Sequence, residues 1–345
     1  MSRYHNHAGT SWPKPPEVLA AAERATCAPP EAWPGLFEGA HQAVAGALAV
    51  APADLLITPS CTQALAAAVA DVPWRRGDRA ISTSMEHHAL VRPLAKLSGV
   101  EVAHVGRGAG GALALAAVER ELRRGGVRLV AASMASNVTG ELLPWRELIA
   151  LAHRHGALCL LDGAQVAGWL ELDLTAMEVD LFAFAGHKGP QGPSGVGGLY
   201  VRPGTPMDAP GYCDTGSVNL PALCGLAQGL AWMRRERPLA RALSCVAALR
   251  ERLAGQAGVR LLGAASGVPT CSLTAEGVTP QVLAAGLRAR GTVASGGHQC
   301  APLAHEALGN PASGALRISF GPSHTPADAH AVADQLLDVL EEARR

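Results

Sequence analysis

The sequence has no excess charge of either sign: Lys plus Arg and Asp plus Glu both number 29, so the formal net charge is zero. Such a balance offers no one-sign field to nucleic acid or to an anionic membrane, and the expected partner is a small molecule. Long apolar runs are also missing. The opening MSRYHNHAGTSWPKP has no apolar signal core, and ALAVAPADLLI is short and broken by Pro52 and Asp54. Neither suits a bilayer span, which predicts no membrane attachment and a cytoplasmic protein. The eight cysteines, at 27, 61, 159, 213, 224, 245, 271 and 300, include no Cys-x-x-Cys pair. A disulfide framework and a zinc site are therefore not expected, and most of these thiols read as small reduced core residues. Internal repeats and low-complexity linkers are absent as well.

What is present is a chain of 345 residues with 48% hydrophobic content, enough for one large domain and a smaller one. The runs DLLIT, RAIST, VRLVAAS, ALCLLD, DLFAFA and GLYVR are strand-length and alternate with helical stretches such as TQALAAAVADV and WRELIALAHRHG. This alternation predicts an α/β fold with a mainly parallel sheet, whose ligands gather at the carboxyl ends of the strands. The segment PGTPMDAPGYCDTGSVNLP reads as a long loop. The C-terminal part, with VRLLGA, PTCSLTA, TVASGG and ALRISF as strands, has an α+β pattern, and Thr325 with Pro326 marks the start of a last helix.

Two strand ends carry the strongest chemical signal. Asp162 closes the apolar run ALCLLD, and Lys188 follows DLFAFA in the turn AGHKG. A carboxylate emerging from an apolar strand needs a cationic or hydrogen-bonding partner, and a lysine in a glycine turn suits imine chemistry. Pyridoxal phosphate combines both needs, taking a lysine at its aldehyde and a carboxylate at its pyridine nitrogen. A strand-capping Asp and a solvated Lys would leave the same pattern. Three further strand ends add to it. SCTQA offers a helix start where Thr62 is either a phosphate ligand or an N-cap. MEHHALVRP offers Glu86, His87 and His88, where one imidazole could lie over an aromatic ring, and SNVTGELLP offers Asn137, suited to a phenolic oxygen or to a turn.

In order and spacing, NHAGTSWPKP, SCTQA, MEHHALVRP, SNVTGELLP, DGAQVAG, AGHKGPQGPSGVGGLYV, DTGSVNLP, SGGHQCAPLAHEALG and ALRISFG resemble the fold-type I pyridoxal phosphate enzymes of aminotransferase class V, in their cysteine desulfurase-like branch. The resemblance implies a seven-stranded sheet of the pyridoxal phosphate transferase fold with a smaller α+β C-terminal domain. It divides the chain into a large domain at 15–235 and a small domain at 1–14 and 236–345. It implies Lys188 as the Schiff-base lysine, Asp162 on the pyridine nitrogen, and His87 stacked on the ring. Asn137 and Gln165 would face the phenolic oxygen. Thr62, Cys61 and His187 would hold the phosphate, with Ser217 reaching a neighbouring subunit's cofactor. On the substrate side the resemblance places Arg317 on the amino-acid carboxylate, with His298, Asn6 and His7 beside it, and Cys300 as the nucleophile. Ser295 and Gln299 stand where the family usually carries Arg and His.

The implied reaction removes sulfur from L-cysteine or a cysteine-like amino acid, giving alanine and a persulfide on Cys300. A sulfur-acceptor protein and a homodimer go with it. A class V transamination, epimerisation or carbon–sulfur lysis of another amino acid, with Cys300 a bystander, is the second reading. A binding scaffold without activity is the third.

Overall fold

The computed structural model describes residues 3–108, 112–207, 218–264, 267–310 and 312–345. Aliphatic runs bounded by glycine and proline form the sheet of the larger unit: β1 (Leu55–Thr58), β2 (Arg79–Thr83), β3 (Glu101–Val105), β4 (Val127–Ser133), β5 (Leu158–Asp162), β6 (Leu181–Ala185) and β7 (Gly197–Val201). Their order is β1-β7-β6-β5-β4-β2-β3, and the ladders are parallel except for the two made by β7. All residues of β2 and β6 are buried, as helices on both faces require. The edge strand β3 was not among the predicted runs, because exposed Glu101 and His104 interrupt its apolar pattern. The carboxyl ends of β1, β2, β4, β5 and β6 lie along one rim of the sheet. The rim is extended by α1 (Cys61–Asp71) after β1 and α2 (His88–Ala95) after β2.

The chain divides into two units, one of Pro13–Met134 and Leu143–Glu236, the other of Met1–Trp12, Ala135–Leu142 and Arg237–Arg345. The span 15–235 expected for the large domain has no such interruption, so Asn137 falls in the smaller unit. No helix among the described residues is long and apolar enough to cross a membrane.

The smaller unit holds a four-stranded antiparallel sheet of β8 (Val259–Leu262), β9 (Thr270–Ala275), β10 (Ser295–Gly297) and β11 (Ala315–Ser319), in the order β10-β11-β9-β8. Arg317 in β11 pairs across the sheet with Ser295 on one side and Ser272 on the other. Thr325 starts the last helix, Pro326–Arg344, through a capping box with Asp328.

This unit also buries an imidazole. His5 is fully buried, its ring 4.6 Å from His324 and 5.4 Å from Phe320, and neither ring nitrogen has a hydrogen-bond partner. Burial, then the neighbouring His324, lowers its pKa to about 3. The unfolded chain takes up a proton at His5 near pH 6.5 while the folded chain stays neutral, so stability is lost as pH falls below that value. At about pH 4.5 the two-unit gap costs about 2–3 kcal/mol. His5→Phe is expected to remove most of that loss, read as a smaller drop in melting temperature between about pH 7 and pH 4.5.

Candidate active site

In the larger unit, the carboxyl end of β5 presents Asp162, which is 5% exposed. Its Oδ1 accepts the Ala164 N–H at 2.8 Å and the Cys61 thiol at 3.5 Å. Burial pushes its carboxyl up, while the Ala164 N–H, the nearby Lys188 charge and the Cys61 thiol pull it back down. Lys188 sits half-buried in the turn after β6, and its closeness to Asp162 has a backbone cause. A Cβ on Gly189 would lie 2.2 Å from the Ala167 carbonyl oxygen, and one on Gly168, at φ +79, would lie 2.5 Å from the Gly189 carbonyl carbon. Two glycines therefore let the Lys188 turn press against the turn that follows Asp162.

The start of α1 supplies N–H groups for an anion. Its N-cap is Ser60, whose Oγ accepts from Gln63 N–H at 3.2 Å, so Thr62 is not the cap. Thr62 keeps an exposed hydroxyl in the first helical turn, where the Cys61 and Thr62 N–H groups also lie. The Cys61 side chain turns inward to Asp162, so what it offers a phosphate is its backbone N–H. Burial, then the Asp162 charge, raises the Cys61 pKa well above the thiol range, so it stays a donor. His187 is half-buried, and burial, then Lys188, then Lys14, lowers its pKa to about 4. Lys14 donates to the His187 carbonyl at 3.0 Å, and burial lowers its pKa to about 8. Gln165 is buried in the turn after Asp162.

His87 caps α2: its Nδ1 accepts the Ala89 N–H at 3.0 Å, which leaves the proton of the neutral ring on Nε2. The residue before it had no role assigned from sequence. Glu86 is fully buried, with Oε1 accepting from Thr83 Oγ1 at 2.5 Å and Oε2 from Ser133 N–H at 2.8 Å and Ser133 Oγ at 2.6 Å. It ties the ends of β2 and β4 together, just before the turn that carries His87. A glutamate closing an apolar run ahead of two histidines was the available signal.

Burial raises the Glu86 pKa to about 7, with hydrogen bonds from Ser133 and Thr83 opposing and the Asp162 charge adding. A folded pKa raised above the unfolded one contributes stability below about pH 4.5 that is lost as pH rises through 7. Glu86→Gln can keep acceptance from Ser133 and donate to Thr83. It is expected to match the wild type below about pH 4 and to exceed it by about 3 kcal/mol above about pH 8.5, measured by denaturant unfolding.

The donor set fits pyridoxal phosphate. A buried carboxylate with one oxygen already engaged, a lysine drawn towards it, and a helix start with N–H groups and a hydroxyl match a pyridine nitrogen, an aldehyde and a phosphate.

The smaller unit has a polar cluster of its own. Arg317 is 5% exposed. It donates from Nη1 to the Asn137 carbonyl at 3.0 Å and from Nη2 to Asn6 Oδ1 at 2.9 Å. Burial lowers its pKa to about 10, against the opposing effect of Cys300 and then Tyr4. Its Nε and the Oδ1 of Asn137 are buried without a hydrogen-bond partner. Asn137 Nδ2 donates to the Gln299 carbonyl at 2.8 Å, so its amide faces the cysteine loop within this unit, where the expectation had it on a phenolic oxygen. Asn6 orients Arg317. The His7 ring meets Tyr4 at 5.2 Å and His324 at 5.3 Å, and a Cβ on Gly321 would lie 2.1 Å from it. His298 is half-buried, 5.4 Å edge-on from His305. Cys300 is exposed. Ser217 lies outside the described residues. The seven cysteines of the described residues are all free thiols, and no metal-binding cluster occurs among those residues.

Comparison with known proteins adds a family. Residues 17–332 match Aminotransferase class-V. A probable cysteine desulfurase of Vibrio cholerae is 30% identical over 323 residues, covering 83% of this chain and 78% of that protein. One of Chlamydia muridarum is 29% identical over 314 residues, covering 81% and 77%. The apo structure of a cysteine desulfurase from Thermococcus onnurineus superposes with a TM-score of 0.91 at 23% identity, over 99% of this chain and 95% of that one. That likeness establishes the fold.

Proposed function

The chain belongs to the aminotransferase class V family, whose cofactor is pyridoxal phosphate, and from that premise we propose that it is a cysteine desulfurase. The observation that carries the reading is the pair on the smaller unit: an exposed Cys300 and, within its electrostatic reach, the buried guanidinium of Arg317 with an orphaned Nε. A planar cation with an unused donor suits an amino-acid carboxylate. A thiol within reach of that charge suits attack on the amino acid's sulfur. The relatives named cysteine desulfurases support the same choice.

When bound, pyridoxal phosphate supplies an electron sink for charge that develops on the substrate. The chain's residues do the rest. Asp162 would hold the pyridine nitrogen protonated, the first turn of α1 with Thr62 and His187 would receive the phosphate, and His87 would lie against the ring. Lys188 would be the residue that holds the aldehyde, and its amine is the base placed to take the substrate α-proton. Arg317 fixes the carboxylate. Cys300 Sγ attacks the substrate sulfur; an S–S bond forms, the C–S bond breaks, and its electron pair stays with carbon, which ends protonated. Cysteine and the Cys300 thiol thus become alanine and the Cys300 persulfide, with atoms and electrons balanced and no external oxidant. The reading includes a homodimer, a cytoplasmic setting suited to free thiols, and a protein that accepts the sulfur.

The test is to supply L-cysteine and dithiothreitol to the pyridoxal phosphate-loaded protein and quantify products. Equal amounts of alanine and sulfide are expected. A keto acid without sulfide, from cysteine or another amino acid, would replace this reading with transamination.

A further inference from the structure

Gln299 and Cys300 both adopt the left-handed backbone region, at φ +46 and +58. Residues with a Cβ stay there only when their surroundings impose it. Here the surroundings are hydrogen bonds. Gln299 Nε2 donates to the Ala315 carbonyl of β11 at 2.9 Å and to the Ser295 carbonyl of β10 at 3.2 Å. Those two acceptors fix the amide orientation, so Oε1 faces His305 Nε2 at 3.0 Å, which must be the protonated nitrogen. His305 Nδ1 then accepts from Asn310 Nδ2 at 2.8 Å, and Asn310 Nδ2 also donates to the Gly314 carbonyl at 2.8 Å. The Gln299 main chain is held too, since its carbonyl takes the Asn137 amide, whose own carbonyl takes Arg317 Nη1. One residue is therefore tied to β10, to β11, to a buried histidine and, through Asn137, to the arginine.

We propose that Gln299 is a positioning residue for the sulfur-accepting thiol: it locks Cys300 to the strand that carries Arg317, so that nucleophile and carboxylate anchor form one rigid piece. The proposal rests on the desulfurase reading of Cys300 and adds to it how the thiol is aimed. With the loop locked in this way, a sulfur acceptor would come to the thiol rather than the thiol travel to it. The glutamine also takes no part in proton transfer, because both ends of its amide are engaged in the lock.

Gln299→Leu removes the three side-chain bonds. With Arg317 untouched, KM for L-cysteine is expected to stay within about twofold and kcat to fall about 10- to 100-fold, the range that a misplaced reacting atom costs. The bound-cofactor absorbance is expected to be unchanged. His305→Leu cuts only the outer support, and a fall of about threefold in kcat is expected; this variant decides the matter if Gln299→Leu does not fold. Amide hydrogen exchange at residues 298–301 reads the lock without activity, and about tenfold faster exchange is expected in Gln299→Leu. Unchanged exchange, an unchanged kcat, or a parallel loss of kcat, KM and cofactor binding overturns the proposal. Failure of the desulfurase reading looks different: exchange responds as stated, but the wild type forms no persulfide on Cys300.

Discussion

Lys188→Ala is expected to remove the borohydride-fixable link to pyridoxal phosphate and to lower the desulfuration rate by at least about 10³-fold, since both a covalent attachment and a general base disappear together. Folding should not suffer. Lys188 is half-buried in a turn whose close packing is made by Gly168 and Gly189, and the alanine leaves that contact intact. Asp162 and the start of α1 remain, so the cofactor should still bind, now without covalent attachment, and its absorbance should move to that of the free aldehyde. Added small primary amines should restore part of the rate. Retention of a borohydride-fixed cofactor, or a rate within tenfold of wild type, would remove Lys188 from its proposed role.

Arg317→Leu should have the next largest effect. In the proposed reading the buried guanidinium, with an unpartnered Nε and held by Asn6 and the Asn137 carbonyl, anchors the substrate carboxylate. Losing a charge-assisted, bidentate contact raises KM for L-cysteine by about 10²-fold or more, roughly 3 kcal/mol. Arg317→Lys should not rescue it, because an ammonium cannot present the same planar pair of donors. The variant's cofactor absorbance should match wild type, since the residues proposed to hold the ring nitrogen, aldehyde and phosphate belong to the larger unit. A KM unchanged by Arg317→Leu would move the carboxylate elsewhere.

Much of this could be read from the chain, for identifiable reasons. Strands buried on both faces announce themselves as unbroken aliphatic runs, so β1, β2, β4, β5, β6 and β7 were legible, and Asp162 and Lys188 followed from where two of those runs stop. Strand β3 was not, because an edge strand tolerates Glu101 and His104 and loses the pattern. Residues identified by the direction of a side chain were harder. Nothing in SCTQA says that Cys61 turns inward to Asp162 while Ser60 takes the cap. Nor does NHAG say that Asn6 reaches Arg317 while His7 packs under Gly321. Gln299 read as an absent histidine. Its actual bonds run to carbonyls of β10 and β11 and to His305, partners whose closeness depends on the antiparallel register and on no local motif. Glu86 was visible as a residue but not as a buried link between β2 and β4.

The central claim is that sulfur passes through Cys300, and it is tested most directly by a single turnover without reductant. The loaded protein is mixed with limiting L-cysteine, quenched with an alkylating agent, digested, and the Cys300 peptide weighed while alanine is quantified. A Cys300 peptide heavier by one sulfur atom is expected in an amount equal to the alanine formed, and neither product from Cys300→Ala beyond a trace. Alanine formed at the wild-type rate with Cys300 unmodified, or by Cys300→Ala, would contradict it.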